Sequence, residues 1–174
     1  NRALRAQPRD LLFSLCQYGM GHVPAWGARV GGQCWRTTHD IVDTWESVIG
    51  IVRAQEGFEL FAEPGAWNDL DMLVVGTVGW GTPHPTRLTP NEQYSHISYW
   101  CLLASPLLLG CDLTQLDPFT LNLLTNDDVL EVNQDPLGRQ AVCMQHDDAQ
   151  EIWAKTMSDG STVAGLFNRG CLTR

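Results

Sequence analysis

No run of apolar residues in this chain approaches the length of about eighteen that a membrane-crossing helix needs. The longest, around Leu107 to Leu109, is far too short. The six cysteines (Cys16, Cys34, Cys101, Cys111, Cys143, Cys171) form no Cys-x-x-Cys pair and no Cys/His ligand spacing, which argues against zinc. The five histidines (His22, His39, His84, His96, His146) share no ligand spacing either and read as surface or packing residues, with His39 singled out because it adjoins Asp40. A Gly-rich phosphate loop between a strand and a helix is missing, which excludes a nucleotide-binding α/β domain, and nothing else asks for a cofactor. Basic residues are few: 11 Lys and Arg stand against 20 Asp and Glu, a formal net charge of −9. Nucleic acid is gripped through basic patches, so that partner is excluded too. No signal peptide is visible, and Asn1-Arg2-Ala3-Leu4-Arg5 reads as the middle of a helix rather than a natural start.

What is present is an ordinary globular composition, 44% hydrophobic and 18% charged over 174 residues, long enough to bury a sizeable core. Residues 11–16 form a short apolar run leading to Gly19 and Gly21, a buried strand opening into a loop. Gln33 to Asp40 gives a second strand and its exit. Over 43–55, Trp45, Val48, Ile49 and Val52 fall at helical spacing, and Asp43 with Glu46 has the spacing of a capping box. A third strand is expected at Trp67 to Val75, then a Gly- and Pro-rich loop over 76–88. Thr89-Pro90-Asn91-Glu92 is a strong helix start. Pro106 to Asp112 reads as a fourth buried strand, and Asp117 and Asn126 cap two further helices. From Gln140 the period changes to two, with Ser158-Asp159-Gly160-Ser161 as a hairpin turn. Four apolar strands alternating with helices imply parallel βα units. Either a small open α/β sheet or half of a barrel fits, since a full barrel takes eight units.

Polar and aromatic residues gather at the expected strand exits, where both architectures place their sites. In Cys34-Trp35-Arg36-Thr37-Thr38-His39-Asp40, Asp40 suits a general acid for glycosidic cleavage, which needs one such group and an opposed carboxylate. Arg36 suits a donor to a sugar hydroxyl and Trp35 a stacking platform. The same residues also read as a helix N-cap and a structural ion-pair partner. Asp69 and Asp71, two apart on a strand, would point the same way, either as an acid pair or as fasteners of nearby loops; no further oxygen-rich cluster supports a metal. Cys16-Gln17-Tyr18-Gly19-Met20-Gly21 is another polar and aromatic exit. Asn133-Gln134-Asp135-Pro136-Leu137-Gly138 reads as a helix exit that holds the junction to the β-rich end. Cys16 and Cys34 flank a Gly-rich loop and suit either a disulfide or buried free thiols.

Taken in order, FSLCQYGMG (13–21), CWRTTHDI (34–41), PGAWNDLDMLVVG (64–76), LTPNEQYSHISYWCLLASPLLLGCDL (88–113) and NQDPLG (133–138) resemble glycoside hydrolase family 27, the α-galactosidases or melibiases and the α-N-acetylgalactosaminidases. The five collinear blocks cover almost the whole chain. The resemblance implies a partial (β/α)8 barrel, about strands five to eight over residues 1–139, and the beginning of an antiparallel β domain over 140–174. It implies a retaining double displacement on terminal α-linked galactose-type sugars, in a secreted, periplasmic or lysosomal setting. Asp40 matches the family's general acid/base and Arg36 a substrate-binding arginine. Gln17, Tyr18 and Met20 lie in the loop that reads the sugar's 2-substituent, and Met72 lines the pocket. Asp69 and Asp71 match carboxylates that look structural. The family's nucleophile, in a Lys-x-Asp motif, has no counterpart here, which implies an inactive fragment whose partner is the missing first half of the barrel. A sugar-binding or assembly module is the alternative, as are an α-N-acetylgalactosaminidase or a β-L-arabinopyranosidase within the family. His39 stands where a small residue, often Gly, is usual, Leu70 where Pro is usual, and Glu63 where Gly is usual. The acid also has to hold its proton near working pH, which asks for burial or a neighbouring carboxylate.

Overall fold

A computed structural model describes residues 2–79, 81–147 and 149–170. In chain order its elements are α1 (Arg2–Arg5), β1 (Ser14–Leu15), β2 (Cys34–Arg36), α2 (Trp45–Arg53), β3 (Trp67–Asp69), β4 (Thr77–Val78), β5 (His84–Pro85) and α3 (Pro90–Leu102). There follow α4 (Pro118–Leu124), α5 (Asp127–Gln134), β6 (Val142–His146), β7 (Gln150–Thr156) and β8 (Thr162–Asn168).

The first three strands form a parallel sheet in sequence order, with Ser14 opposite Cys34 and Cys34 opposite Trp67. The expected fourth strand is reduced to one parallel bridge, Leu73 with Leu109, fastened by the Leu73 N–H to Leu108 O bond (2.7 Å) and the Gly110 N–H to Leu73 O bond (3.0 Å). An apolar run reports burial but not ladder length, which explains the overestimate. The expected loop over 76–88 contains a two-stranded antiparallel ribbon, β4–β5. At the C-terminal end, β6, β7 and β8 make an antiparallel sheet, as the period-two pattern and its hairpin turn predict. The fold is therefore α/β with a separate antiparallel sheet.

Helix α3 is the hub. It packs against α2, α4, α5, β7 and β8, and a helix enclosed on nearly every side must satisfy its own polar groups. Thr89 and Glu92 close the capping box as expected, with Pro90 in the first turn. Gln93 accepts from Gly76 N–H and donates to Leu88 O; His96 Nε2 accepts from Val74 N–H (3.1 Å); Tyr99 donates to Glu151 (2.8 Å). His96 is fully buried, and that burial pushes its imidazole down to about 3, so it is a neutral packing residue. On α2 the expected stripe of Val48, Ile49 and Val52 is buried, a stabilisation of about 1.5–3 kcal/mol for each such side chain. Its cap is not Asp43, however. Thr44 accepts from Ser47 N–H, while Asp43 is drawn away to Arg87 on the ribbon side. Asp117 and Asn126 cap α4 and α5 as expected. Asp135 accepts from Leu137 N–H (3.1 Å) and from Ser158 N–H (2.8 Å), tying the exit of α5 to the β7–β8 turn.

Candidate active site

The site gathers where β1, β2 and β3 end. At the exit of β1, Tyr18 has a φ of 53° and Gly19 one of 77°. A Cβ on Gly19 would stand 2.1 Å from Thr37 O, so only glycine allows the loop to lie on the end of β2. Gly19 N–H then donates to Arg36 O (3.0 Å), and Met20 N–H to Gln17 O (2.9 Å). This contact lays the Tyr18 ring beside the Arg36 guanidinium, 5.7 Å away, and stacks it on His39 at 5.5 Å.

Arg36 is nearly enclosed, yet its Nη2 reaches three acceptors: Asp71 Oδ2 (2.8 Å), Asp40 Oδ1 (3.2 Å) and Thr38 O (3.3 Å). The Asp71 side chain is 6% exposed and the Asp40 side chain 67%. Arg36 thus links a buried carboxylate to one that faces solvent. Asp71 is itself fixed on every side. Its Oδ2 also accepts from Ile41 N–H (2.8 Å), its N–H donates to Asp69 Oδ1 (2.8 Å), and its carbonyl accepts from Trp100 Nε1 on α3 (2.7 Å). Its φ of 77° is uncommon outside glycine and costs about 1–2 kcal/mol, which these bonds offset. Burial raises the Asp69 carboxyl above the usual carboxylate range.

Several sequence expectations change here. Asp69 and Asp71 are not a matched pair on one strand face: β3 stops at Asp69, the backbone turns left-handed at Asp71, and one binds the other's amide. Trp35 is not available for stacking. It is fully buried with Val23 and Ala66 and donates to Asn68 Oδ1 (2.8 Å); β2 is the middle strand and all three of its residues are buried. Cys16 and Cys34 are free thiols, one exposed and one buried, and Ser14 rather than Cys16 lies opposite Cys34 in the ladder. Cys171 lies outside the described residues. Asp40 is not buried; its direct partner is the Arg36 cation, which it shares with the Asp71 carboxylate.

Tyr18, Arg36 and Asp40 do come together, and Gln17 precedes Tyr18 in the loop that lies on the end of β2. Gln17 Oε1 is enclosed without a partner. Met20 joins them through its backbone, with a side chain 61% exposed. Met72 follows Asp71 but faces a different cavity, beside Thr77, Leu109 and Asp112. His39 leans on Tyr18 and leaves Asp40 open. Leu70 is fully buried and its N–H donates to Ser105 Oγ (3.1 Å), a bond proline has no hydrogen to make. Glu63 exchanges two backbone bonds with Ala66 around Gly65. Among the described residues no group of three or more His, Cys, Asp or Glu side chains suits a metal ion, and no helix is long and apolar enough to cross a membrane. The residue underrated from sequence is Asp71. The register that makes Arg36 and Asp69 ladder partners is non-local, and a left-handed turn at a non-glycine residue leaves no local trace.

Comparison with known proteins gives one consistent result. Residues 2–135 match the sequence model of the melibiase family described as alpha galactosidase A. Alpha-galactosidase 2 of Arabidopsis thaliana is 39% identical over 170 residues, 98% of this chain and 41% of the relative. The β-L-arabinopyranosidase of glycoside hydrolase family 27 from Geobacillus stearothermophilus superposes with a TM-score of 0.87 at 29% identity, over 96% of this chain and 39% of its own. Alpha-galactosidase I from Mortierella vinacea also gives 0.87, at 27% identity over 97% of this chain and 45% of its own. The chain spans about two fifths of the length of the curated relatives it matches. With one family model over most of its length and relatives by sequence and by structure agreeing, the chain belongs to the melibiase family, the alpha-galactosidases of glycoside hydrolase family 27.

Proposed function

We propose that this chain supplies the acid/base half of a retaining α-galactosidase active site. In this reading residues 1–139 form about strands five to eight of a (β/α)8 barrel and residues 140–174 begin an antiparallel β domain. The observation that carries the proposal is the Asp71–Arg36–Asp40 chain at the ends of parallel strands, in which a buried ion pair aims an exposed carboxyl group into open space. Asp40 protonates the glycosidic oxygen as an opposed carboxylate attacks the anomeric carbon; the bond to the leaving group breaks and a glycosyl ester forms. Asp40 then takes a proton from the water that cleaves the ester. The opposed carboxylate belongs to the preceding part of the barrel, the partner of this half.

Arg36 also serves as a substrate donor, because its hydrogen bonds to the protein all fall on Nη2. Gln17 is the hydroxyl acceptor. Its amide oxygen has no protein partner, which leaves it an acceptor for a sugar 2-hydroxyl. Tyr18 and Met20 border that position, while Met72 lines a separate cavity. Polar Gln17 and long Met20 favour galactose over its N-acetylated analogue. The arabinopyranosidase relative keeps a sugar that differs at C5 in view.

The test is hydrolysis of an aryl α-galactoside by the protein that includes the preceding half-barrel. Asp40→Ala should lower the rate by about 10²–10⁴, the usual worth of a positioned acid/base. Galactose binding with no turnover in the unaltered protein would favour the sugar-binding module instead.

A further inference from the structure

The turn that carries Asp40 is tied at both ends to the exit of β3. At its far end the Ile41 N–H donates to Asp71 Oδ2 (2.8 Å). At its near end stands Thr37, directly after β2, with two bonds to one acceptor. Its N–H (3.1 Å) and its Oγ1 (3.2 Å) both donate to Asp69 O. Thr37 is buried, and its Oγ1 also accepts from Gln55 Nε2 (2.9 Å), just past the end of α2.

Gln55 is fully buried. Its Nε2 gives one hydrogen to Thr37 and the other to Ile51 O (2.9 Å), while its Oε1 is enclosed with no partner among the described residues. An amide oxygen left unpaired in the interior is costly to keep, and a leucine of similar volume would fill the space. A leucine could not direct the Thr37 hydroxyl. With Gln55 Nε2 on one lone pair, the hydroxyl proton is turned onto Asp69 O. Gln55 is held in its turn: its carbonyl accepts from Gln140 Nε2 (3.1 Å), and Gln140 Oε1 accepts from Asn68 Nδ2 on β3 (2.8 Å).

We propose that Thr37 and Gln55 are positioning residues for the acid, acting through the backbone that leads to it. The inference rests on the reading of Asp40 as the proton donor. The Asp40 side chain is exposed and its bond to Arg36 Nη2 is long (3.2 Å), so its aim depends on where the turn stands. The same tie sets the ion pair behind it, because Arg36 precedes Thr37 and Asp71 follows Asp69 by two residues. A reacting group misplaced by about 1 Å can lose about 10²-fold in rate.

The experiment uses the protein with both halves of the barrel and two substrates. Dinitrophenyl α-galactoside has an acidic leaving group that departs with little help; phenyl α-galactoside needs the proton. Thr37→Val keeps the shape and removes the hydroxyl, and Thr37→Ser keeps the hydroxyl. A double variant, Thr37→Val with Gln55→Leu, removes both partners together, which spares the fold. The ratio of kcat/KM, phenyl over dinitrophenyl, should fall about tenfold or more in Thr37→Val and in the double variant. In Thr37→Ser it should return to within about twofold of the unaltered protein. The ratio cancels any loss of folded protein or of galactose binding, so a merely structural role leaves it unmoved. A ratio within about twofold of the unaltered protein in the double variant overturns the proposal, and so does an equal fall in Thr37→Ser. Asp40→Asn, run alongside, separates the two readings. An unmoved ratio there overturns the acid role; a fall there without one in the double variant overturns the positioning alone.

Discussion

Asp71→Asn is the most informative single change. The amide keeps an oxygen for the Ile41 N–H but removes the charge that holds Arg36 at 2.8 Å, where the two side chains are 9% and 6% exposed. A hydrogen bond to a charged group is worth about 1.5–3 kcal/mol, and breaking a buried pair outright costs about 3–5 kcal/mol. Asn should fall in the lower range and Ala in the upper. For a chain of this size each kcal/mol moves Tm by about 2–4 °C, so Asp71→Asn should lower it by about 3–12 °C. The second consequence is local. Without Asp71, Arg36 is free to swing fully onto Asp40, and the Ile41 loop loses an anchor. Thermal unfolding of this chain gives the first quantity; the KM against kcat split on an aryl α-galactoside, measured on the protein that includes the preceding half-barrel, gives the second, with kcat falling more than KM rises. A Tm within about 1 °C of the unaltered protein, with kinetics unchanged, would refute the idea that Asp71 positions the site.

Trp35→Ala should behave as a core deletion rather than a lost sugar contact. It should cost about 3–5 kcal/mol, and Trp35→Phe, which leaves Asn68 without its indole donor, about 1–3 kcal/mol. Galactose affinity of the still-folded Phe variant should be unchanged in a titration, and a tenfold loss there would restore a stacking role. The hydrogen bonds from the Arg87 side chain hold the Asp43 carboxyl below the usual carboxylate range. A folded value below the unfolded one of about 3.9 means the tether is fully present above that pH and is lost only as pH falls further through the folded value. Hydrogen exchange at the Arg87 amide, which Asp43 accepts, should therefore be independent of this tether's titration at pH 5 and lose protection below about 4. Loss of protection already at pH 6 would contradict it.

What could be read from the sequence was local. Thr89, Asp117 and Asn126 cap their helices because a side chain and an amide three residues away suffice. The β7–β8 hairpin follows from alternation around Asp159 and Gly160. Arg36 and Asp40 stand four apart in one motif, and the structure joins them in an ion pair; their role as site residues rests on the family resemblance. What failed was non-local. Asp43 has capping-box spacing, but Arg87, 44 residues on, takes its carboxylate. Trp35 sits on a strand covered on both faces, where no alternation tells inward from outward. Asp71 meets Arg36 only because two strands lie side by side and the backbone turns left-handed after one of them.

The most direct measurement is the dependence of kcat/KM on leaving-group acidity, for the unaltered protein and for Asp40→Asn, across a series of aryl α-galactosides. With its proton donor gone, the variant should lose little on the most acidic phenols and progressively more on the least acidic ones, so its line steepens against a shallow one. Two parallel lines would mean that Asp40 delivers no proton to the departing oxygen.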